Sequence, residues 1–312
     1  MSFTAAGPPA IPTSDGADET ARSARPRLRR AVIVGLATAL VVVVALVIAD
    51  TVLAARSEKR LSEALQTSPR LEFAPEVTLG GMPFISHANS GEFPSLTVTA
   101  RGVPLPRSGS VACVATQCWA ELGITATGIR ADDGWSFHPT SHLFFDTVNG
   151  YAKLDSVNLG RLLDITDLSV NTPAPEGKAG GGGPGDGLLE RSSGLLLTGT
   201  VALPPGQTTS STVPPSASSY RGDKIRVSVS VDVAVRDDAL VIRATDFYDG
   251  PEEHASADVP AQYRQAILDR FSRVLPMPAL PWGIIPTSAH SAGSDVLISG
   301  DSVRRRVRVD EF

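Results

Sequence analysis

An uncharged apolar segment near the N-terminus constrains this chain more than any other feature. Residues 31–49 carry no charged side chain, and Thr38 is the one polar residue among them. A helix needs about 20 residues to cross the hydrocarbon of a bilayer, and a core helix of a soluble protein rarely lacks a polar face over this length. The sequence therefore predicts a transmembrane anchor at residues 31–50. A cleaved signal peptide is the alternative, which the long apolar core disfavours.

The charges that flank this segment predict its orientation. The far flank begins with Asp50 and reaches its first basic residue at Arg56. The near flank is a basic cluster of Arg22, Arg25, Arg27, Arg29 and Arg30. Because basic flanks stay on the cytoplasmic side, we expect residues 1–30 to form a cytoplasmic tail, and its polar, proline-rich composition predicts disorder. Residues 51–312 are then an extracytoplasmic domain, which the helix enters with Leu61 and Leu65 on one side.

The composition of the chain favours a β-rich domain and argues against nucleic acid as a partner. The 28 basic and 33 acidic residues give a net charge of −5, so no basic field is present. Aromatic residues make up 5% of the chain, whereas 28 glycines and 24 prolines suit many turns.

Apolar and polar residues alternate in several segments, which predicts strands with one apolar face. The clearest covers residues 225–235, where Val227, Val229, Val231 and Val233 share one face. Its return strand is expected at residues 240–247, and the other segments are 96–101, 122–128, 148–154 and 195–203. An antiparallel sheet of this kind needs a second sheet, a helix or an apolar ligand to cover it.

Two helices and two low-complexity insertions complete the predicted domain. A short helix is expected at residues 156–163 with Asp155 as its N-cap, and a longer one from Asp258 to Leu275, ending before Pro276. The segments 171–187 and 204–219 are rich in Gly, Pro, Ser and Thr and are predicted to be flexible insertions in one domain. A boundary between two domains is the alternative.

The sequence contains few of the motifs that indicate catalysis. The glycine run at 180–183 is not followed by Gly-Lys-Ser/Thr, and no Gly-x-Ser-x-Gly elbow is present. Pro139 lies between His138 and His142 and disfavours a helical metal site. We therefore expect no catalytic residues, no metal and no cofactor.

The cysteines and the C-terminal arginines leave alternatives open. Cys113 and Cys118 lie on the predicted exterior, where a local disulfide is favoured over two free thiols. Near the C-terminus Arg304, Arg306 and Arg308 alternate with other residues. Their guanidinium groups form either a phosphate-binding face or the solvated face of an edge strand.

Several stretches together carry a family resemblance. They are EVTLGGMPFISHANSGEFPSLTVTARGVPLP (residues 76–106), VNGYAKLDSVNLGRLL (residues 148–163) and LPMPALPWGIIPTSAHSAGSDVLISG (residues 275–300), preceded by the basic and apolar N-terminal segments. This pattern resembles the LmeA-like phospholipid-binding family of actinobacterial envelope proteins. The sequence departs from the family pattern at the Cys113 to Cys118 loop and in its long insertions.

The resemblance implies a non-enzymatic domain similar to tubular lipid-binding proteins. In such a domain a curved antiparallel sheet wraps on a long helix and encloses an apolar cavity for acyl chains. The implied ligand is a phospholipid, of an anionic or phosphoinositide type, and the implied role is maintenance of envelope lipids or lipoglycans. The alternatives are an envelope interaction scaffold with a packed core and, less favoured, an envelope enzyme.

Burial of acyl methylenes would drive lipid binding in such a cavity. The expected lining comes from the two long strands, the longer helix and the proline-rich segment after it. The candidates are Leu197, Val201, Val227, Val229, Val231, Val233, Ile267, Phe271, Leu280, Trp282 and Ile284. We expect Leu280, Trp282 and Ile284 to rim the cavity or to meet the membrane, because Trp favours interfaces.

Overall fold

The computed structural model describes residues 19–105, 118–165, 167–173, 194–203, 223–236, 239–250, 254–277 and 279–312. The chain divides into two compact units, Met1–Val52 and Leu53–Phe312. Most of the two predicted insertions, and Cys113 with them, lie outside the described residues.

The helices are few. They are α1 (Glu19–Leu65), α2 (Phe84–Ser90), α3 (Ser156–Leu163) and α4 (Arg264–Arg270), with 3-10 turns at Ala261–Tyr263, Pro281–Gly283 and Val309–Glu311. Within the described residues α1 is the one helix long and apolar enough to cross a membrane, over Arg30–Leu65. Its last turns belong to the second unit, where Ser57, Leu61, Ala64 and Leu65 are buried.

The second unit is built on two antiparallel sheets. The first has the strand order β1-β2-β3-β4-β11-β10 and the second β5-β6-β7-β8-β9. The strands are β1 (Glu76–Leu79), β2 (Glu92–Pro104), β3 (Trp119–Ala131), β4 (His142–Asp155), β5 (Ser169–Asn171), β6 (Leu195–Leu203), β7 (Asp223–Arg236), β8 (Ala239–Phe247), β9 (Arg273–Pro276), β10 (Ser288–Ala292) and β11 (Asp295–Arg308). The chain is thus a β-rich α+β protein, and each strand expected from alternation lies within one of these strands.

The two sheets replace the single curved sheet that the resemblance implies. Their apolar faces contribute to one hydrophobic core, which also takes in Leu61 and Leu65 of α1. Within the described part of the second unit, the helices that pack on the sheets are short. The wrapping of a sheet on a long helix therefore remains a hypothesis.

The two predicted helices of the domain have different outcomes. Helix α3 has the predicted bounds, and the carboxylate of Asp155 accepts a hydrogen bond from the backbone N–H of Asn158 at 2.6 Å. The helix predicted to run to Leu275 is wrong in length, because α4 covers only Arg264–Arg270 and the chain then forms β9. Strand β9 pairs with the edge of β8, so tertiary pairing overrides the helical pattern there.

Candidate functional site

The predicted lining residues on β6 and β7 lie side by side on the inner face of the second sheet. Leu197 pairs with Val229, and Val231 pairs with Leu195 on the same face. Val201, Val227, Val229 and Val231 are buried, and Val233 is half-buried. The period-two prediction for this strand is therefore confirmed, and the valines form a continuous aliphatic surface.

Helix α4 closes one side of this aliphatic surface. Ile267 and Phe271 are both fully buried. Ile165 and Phe271 pack closely against β6 because residue 199 is a glycine. An added Cβ at Gly199 would lie 2.5 Å from Cγ2 of Ile165 and 3.6 Å from Cε1 of Phe271. Arg270 fixes the helix by donating hydrogen bonds to the backbone carbonyl of Asp164 at 2.7 Å and to its carboxylate at 2.5 Å.

The three predicted rim residues lie in the core, against the first sheet. Trp282 is only 6% exposed, and its ring lies 5.3 Å from that of Phe145 and 5.1 Å from that of Phe312. Its indole Nε1 donates to the carbonyl of Arg308 at 2.8 Å, so the polar end of the ring is satisfied without a membrane interface. Leu280 and Ile284 are buried as well.

The predicted lining residues thus belong to one hydrophobic core, and all but Val233 are buried in it. Contact with lipid at these residues remains a prediction.

A cavity of about 580 Å³ lies on the opposite, outer face of the second sheet. Its lining is polar and apolar in equal measure and comes from β5, β6, β7, the segment after β8 and the turn between β10 and β11. The lining residues are Ser169, Asn171, Thr172, Leu196, Thr198, Arg226, His254, Ala255 and Gly293. We call this cavity the β5–β7 pocket.

The alternation of β6 explains the floor of the β5–β7 pocket. Leu195 and Leu197 belong to the main core, whereas Leu196 between them faces the other side of the sheet, where it is also fully buried. Beside it, the hydroxyl groups of Thr198 and Ser228 lie 2.6 Å apart. The pocket therefore has an apolar floor at Leu196, with the polar side chain of Thr198 beside it.

Two side chains that can carry positive charge line the β5–β7 pocket. The Arg226 guanidinium lies 3.2 Å from the carboxylate of Asp167, which also accepts hydrogen bonds from the backbone N–H and the hydroxyl of Thr200. The His254 ring meets Tyr248 edge-on, with 5.6 Å between the ring centroids. A guanidinium has five N–H donors, and the structure uses Nη1 for Asp167, so Arg226 retains donors for an anion.

The pattern of the sequence did not predict this pocket. Its residues come from segments far apart in the chain, and strand β5 is only three residues long. The polar residues on the outer face of β6 and β7 were the available signal, but alternation alone assigns such a face to solvent.

Comparison with known families decides the family of the chain. The LmeA-like phospholipid-binding family matches residues 48–301. The chain belongs to this family. It is a family of binding domains and not a known enzyme family. No curated protein and no solved structure gives a significant match.

The C-terminal arginines of this LmeA-like chain are largely paired with acids. Arg306 lies 3.3 Å from Asp132, and Arg308 donates to Asp310 at 2.7 Å, which lowers the pKa of the Asp310 carboxyl. Arg304 has a positive φ of 47° at the point where the buried side of β11 changes from even to odd residues. These contacts support the solvated-face alternative over a phosphate site.

Of the two cysteines in the predicted disulfide of the LmeA-like domain, the structure describes only Cys118. Cys118 is buried and disulfide-bonded. Cys113 lies outside the described residues, so the pairing of these two cysteines remains a prediction.

Proposed function

We propose that this LmeA-like protein is a membrane-anchored, extracytoplasmic phospholipid-binding protein that maintains lipids or lipoglycans of an actinobacterial cell envelope. The family match carries the lipid-binding part of the proposal. The long apolar helix supports the anchor, and the arginines before it support a cytoplasmic N-terminus.

The β5–β7 pocket is the proposed site of the lipid phosphate. Arg226 offers guanidinium donors, which bind phosphate oxygens well, and hydroxyl groups of Thr172 and Thr198 lie in the same lining. This arrangement favours an anionic phospholipid, including one of the phosphoinositide type. Ser169 and Asn171 of the edge strand β5 line the pocket, and Val170 between them belongs to the hydrophobic core, so this short strand stands between the proposed phosphate site and the aliphatic face of β6 and β7.

An interaction scaffold is the second candidate function. One observation favours it: the residues expected to line an acyl-chain cavity are buried in the hydrophobic core. A scaffold of this kind would hold no lipid, so the lipid measurements below separate the two functions.

The first prediction is that residues 53–312, produced without the apolar span, carry phospholipid through purification and take up phosphatidylglycerol saturably from vesicles. This part of the chain contains the entire hydrophobic core of the described residues. Arg226→Gln should weaken the uptake roughly 10- to 150-fold, because a hydrogen bond to a charged group contributes roughly 1.5 to 3 kcal/mol. Mass spectrometry of extracted lipid and a vesicle uptake assay measure both effects.

Arg243→Gln is the matched control, because Arg243 is an exposed arginine on β8 of the same sheet. We expect it to leave uptake unchanged. Diacylglycerol, which lacks the phosphate, should be taken up equally by the native protein and by the Arg226→Gln variant. A native domain that neither holds nor takes up lipid would refute the lipid-binding proposal and leave the scaffold.

The second prediction concerns topology. A reporter enzyme that is active only in the cytoplasm should give no signal when it is fused after Phe312 and full signal when it is fused before Met1. The reason is that the positive charge lies before residues 31–49. The opposite pattern of activity would reverse the proposed orientation.

A further inference from the structure

Asp167 holds Arg226, the arginine of the β5–β7 pocket, in place. Its Oδ1 accepts a hydrogen bond from the backbone N–H of Thr200 at 2.9 Å, and its Oδ2 accepts one from the Thr200 hydroxyl at 2.6 Å. Nη1 of Arg226 donates to the same Oδ2 at 3.2 Å. The side chain of Asp167 is 17% exposed, whereas that of Arg226 is 54% exposed. The carboxylate is therefore fixed to β6, and the guanidinium is held against it.

The register of β6 and β7 places these groups on the face that carries the pocket. Thr200 pairs with Arg226 across the two strands. Thr198 and Ser228 form the next pair on this outer face, and their hydroxyl groups are in contact. Within the part of the chain that the structure describes, the pocket lining itself contains no carboxylate. Asp167 is thus the negative charge that the structure places in direct contact with the anion-binding candidate Arg226.

This arrangement makes the pocket sensitive to the charge of a bound phosphate. A phosphodiester carries one negative charge, whereas a phosphomonoester carries about two at pH 8, because its second pKa is about 6. Either group is attracted by the guanidinium of Arg226 and repelled by the carboxylate of Asp167 beside it. Because the Coulomb energy is proportional to the charge, the repulsion by Asp167 is about twice as large for the phosphomonoester. Asp167 therefore lowers the affinity for a phosphomonoester more than the affinity for a phosphodiester.

We propose that Asp167 is a specificity-determining residue that biases the β5–β7 pocket toward singly charged phosphodiesters and against doubly charged phosphomonoesters. The proposal rests on the proposed phosphate site in this pocket. Phospholipids whose phosphate carries a headgroup are phosphodiesters, whereas phosphatidic acid, which lacks the headgroup, is a phosphomonoester. Asp167 would thus favour lipids with a headgroup over phosphatidic acid.

The third prediction tests this bias with Asp167→Asn in the full chain, held in a non-ionic detergent at pH 8. Isothermal titration gives the dissociation constants of dihexanoyl phosphatidylglycerol and dihexanoyl phosphatidic acid. Loss of the ion pair frees Arg226 to move, which weakens both lipids alike, so the ratio of the two constants is decisive. A carboxylate about 7 Å from the phosphate costs roughly fivefold in affinity per negative charge at an effective dielectric constant of about 50. We therefore expect the ratio to shift about fivefold toward phosphatidic acid.

Two further variants accompany this measurement. Asp167→Ser also removes the charge, so it should give the same shift, and it replaces Asp167→Asn if that chain fails to fold. Asp246→Asn is the matched control, because it removes the same charge from the outer face of the same sheet. Asp246 is 74% exposed and pairs with Ser230, which lies four residues along β7 from Arg226, or roughly 13 Å. We expect it to leave the ratio unchanged.

Each outcome decides the proposal. A ratio that shifts in the Asp167 variants and not in Asp246→Asn supports it. A ratio that stays unchanged in the Asp167 variants, or that shifts equally in Asp246→Asn, overturns the role of Asp167, while weaker binding by Arg226→Gln still supports the phosphate site. A native chain that binds neither lipid overturns the phosphate site and the role of Asp167 together.

Discussion

Val229→Asp is expected to destabilise the second unit by about 4 kcal/mol or more, enough to unfold much of the protein at room temperature. Val229 is fully buried and pairs with Leu197 on one side and Phe247 on the other. A carboxylate placed there would have apolar neighbours on its own face, and neither of its described cross-strand partners, Leu197 and Phe247, is cationic. The protein would then have to bury an unpaired charge or lose its core.

Ser230→Asp is the control for this variant, because a shift of one residue moves the side chain to the other face of the sheet. Ser230 is half-buried on the outer face and pairs with Asp246. Two carboxylates opposite each other cost roughly 0.2 to 1 kcal/mol, so we expect a small loss. Urea denaturation of both variants measures the difference, and equal midpoints would contradict the proposed burial of the valine face.

The strands could be predicted because their side chains follow a simple period. Val227, Val229 and Val231 alternate with polar residues, and this pattern requires one buried face wherever the strand pairs. The division into two sheets could not be predicted in this way, because alternation does not show which strands become neighbours. Pairings such as that of β11 with β4 join residues about 150 positions apart.

Long strands also change faces, which a regular alternation does not anticipate. On β11 the buried residues are even-numbered up to Gly300 and odd-numbered from Val307. On β3 the same change follows Ala126, where Gly128 has a φ of 62°. The positive φ values at Gly128 on β3 and Arg304 on β11 allow both strands to turn their side chains to the other face at the same level of the sheet. These two residues are level with each other because both strands pair with the same residues of β4, Phe145 and Thr147. The local sequence does not show this alignment.

The candidate site could be predicted only where it coincides with the core. The aliphatic residues of β6 and β7 follow from periodicity, whereas the β5–β7 pocket depends on the tertiary approach of β5, His254 and Gly293. Trp282 was expected at an interface because of its residue type. The structure instead gives its indole N–H a buried partner, the carbonyl of Arg308, and this long-range contact leaves no trace in the local sequence.

Gly300→Ala is expected to destabilise the second unit by about 3 kcal/mol, because its methyl group would overlap a backbone segment that cannot rotate away. Gly300 on β11 pairs with Gly150 on β4, so two adjacent positions of the first sheet lack side chains. An added Cβ at Gly300 would overlap the carbonyl oxygen of Ile285 and lie 2.8 Å from its carbonyl carbon. The segment that carries Leu280, Trp282 and Ile284 into the core would have to lift from the sheet.

Gly293→Ala is the control for this variant, because it measures the loss of stability from replacing a glycine where the added methyl group meets no other atom. Gly293 has a φ of 66° but has no atom within 4 Å of an added Cβ, so its substitution costs only the backbone preference, about 1 kcal/mol. Thermal and urea unfolding of both variants should therefore show a clearly larger loss for Gly300→Ala. The near-ultraviolet signal of Trp282 should change in that variant alone, since the displaced segment carries the indole away from Phe145 and Phe312. Equal losses in the two variants would mean that the segment does not lie directly on the paired glycines.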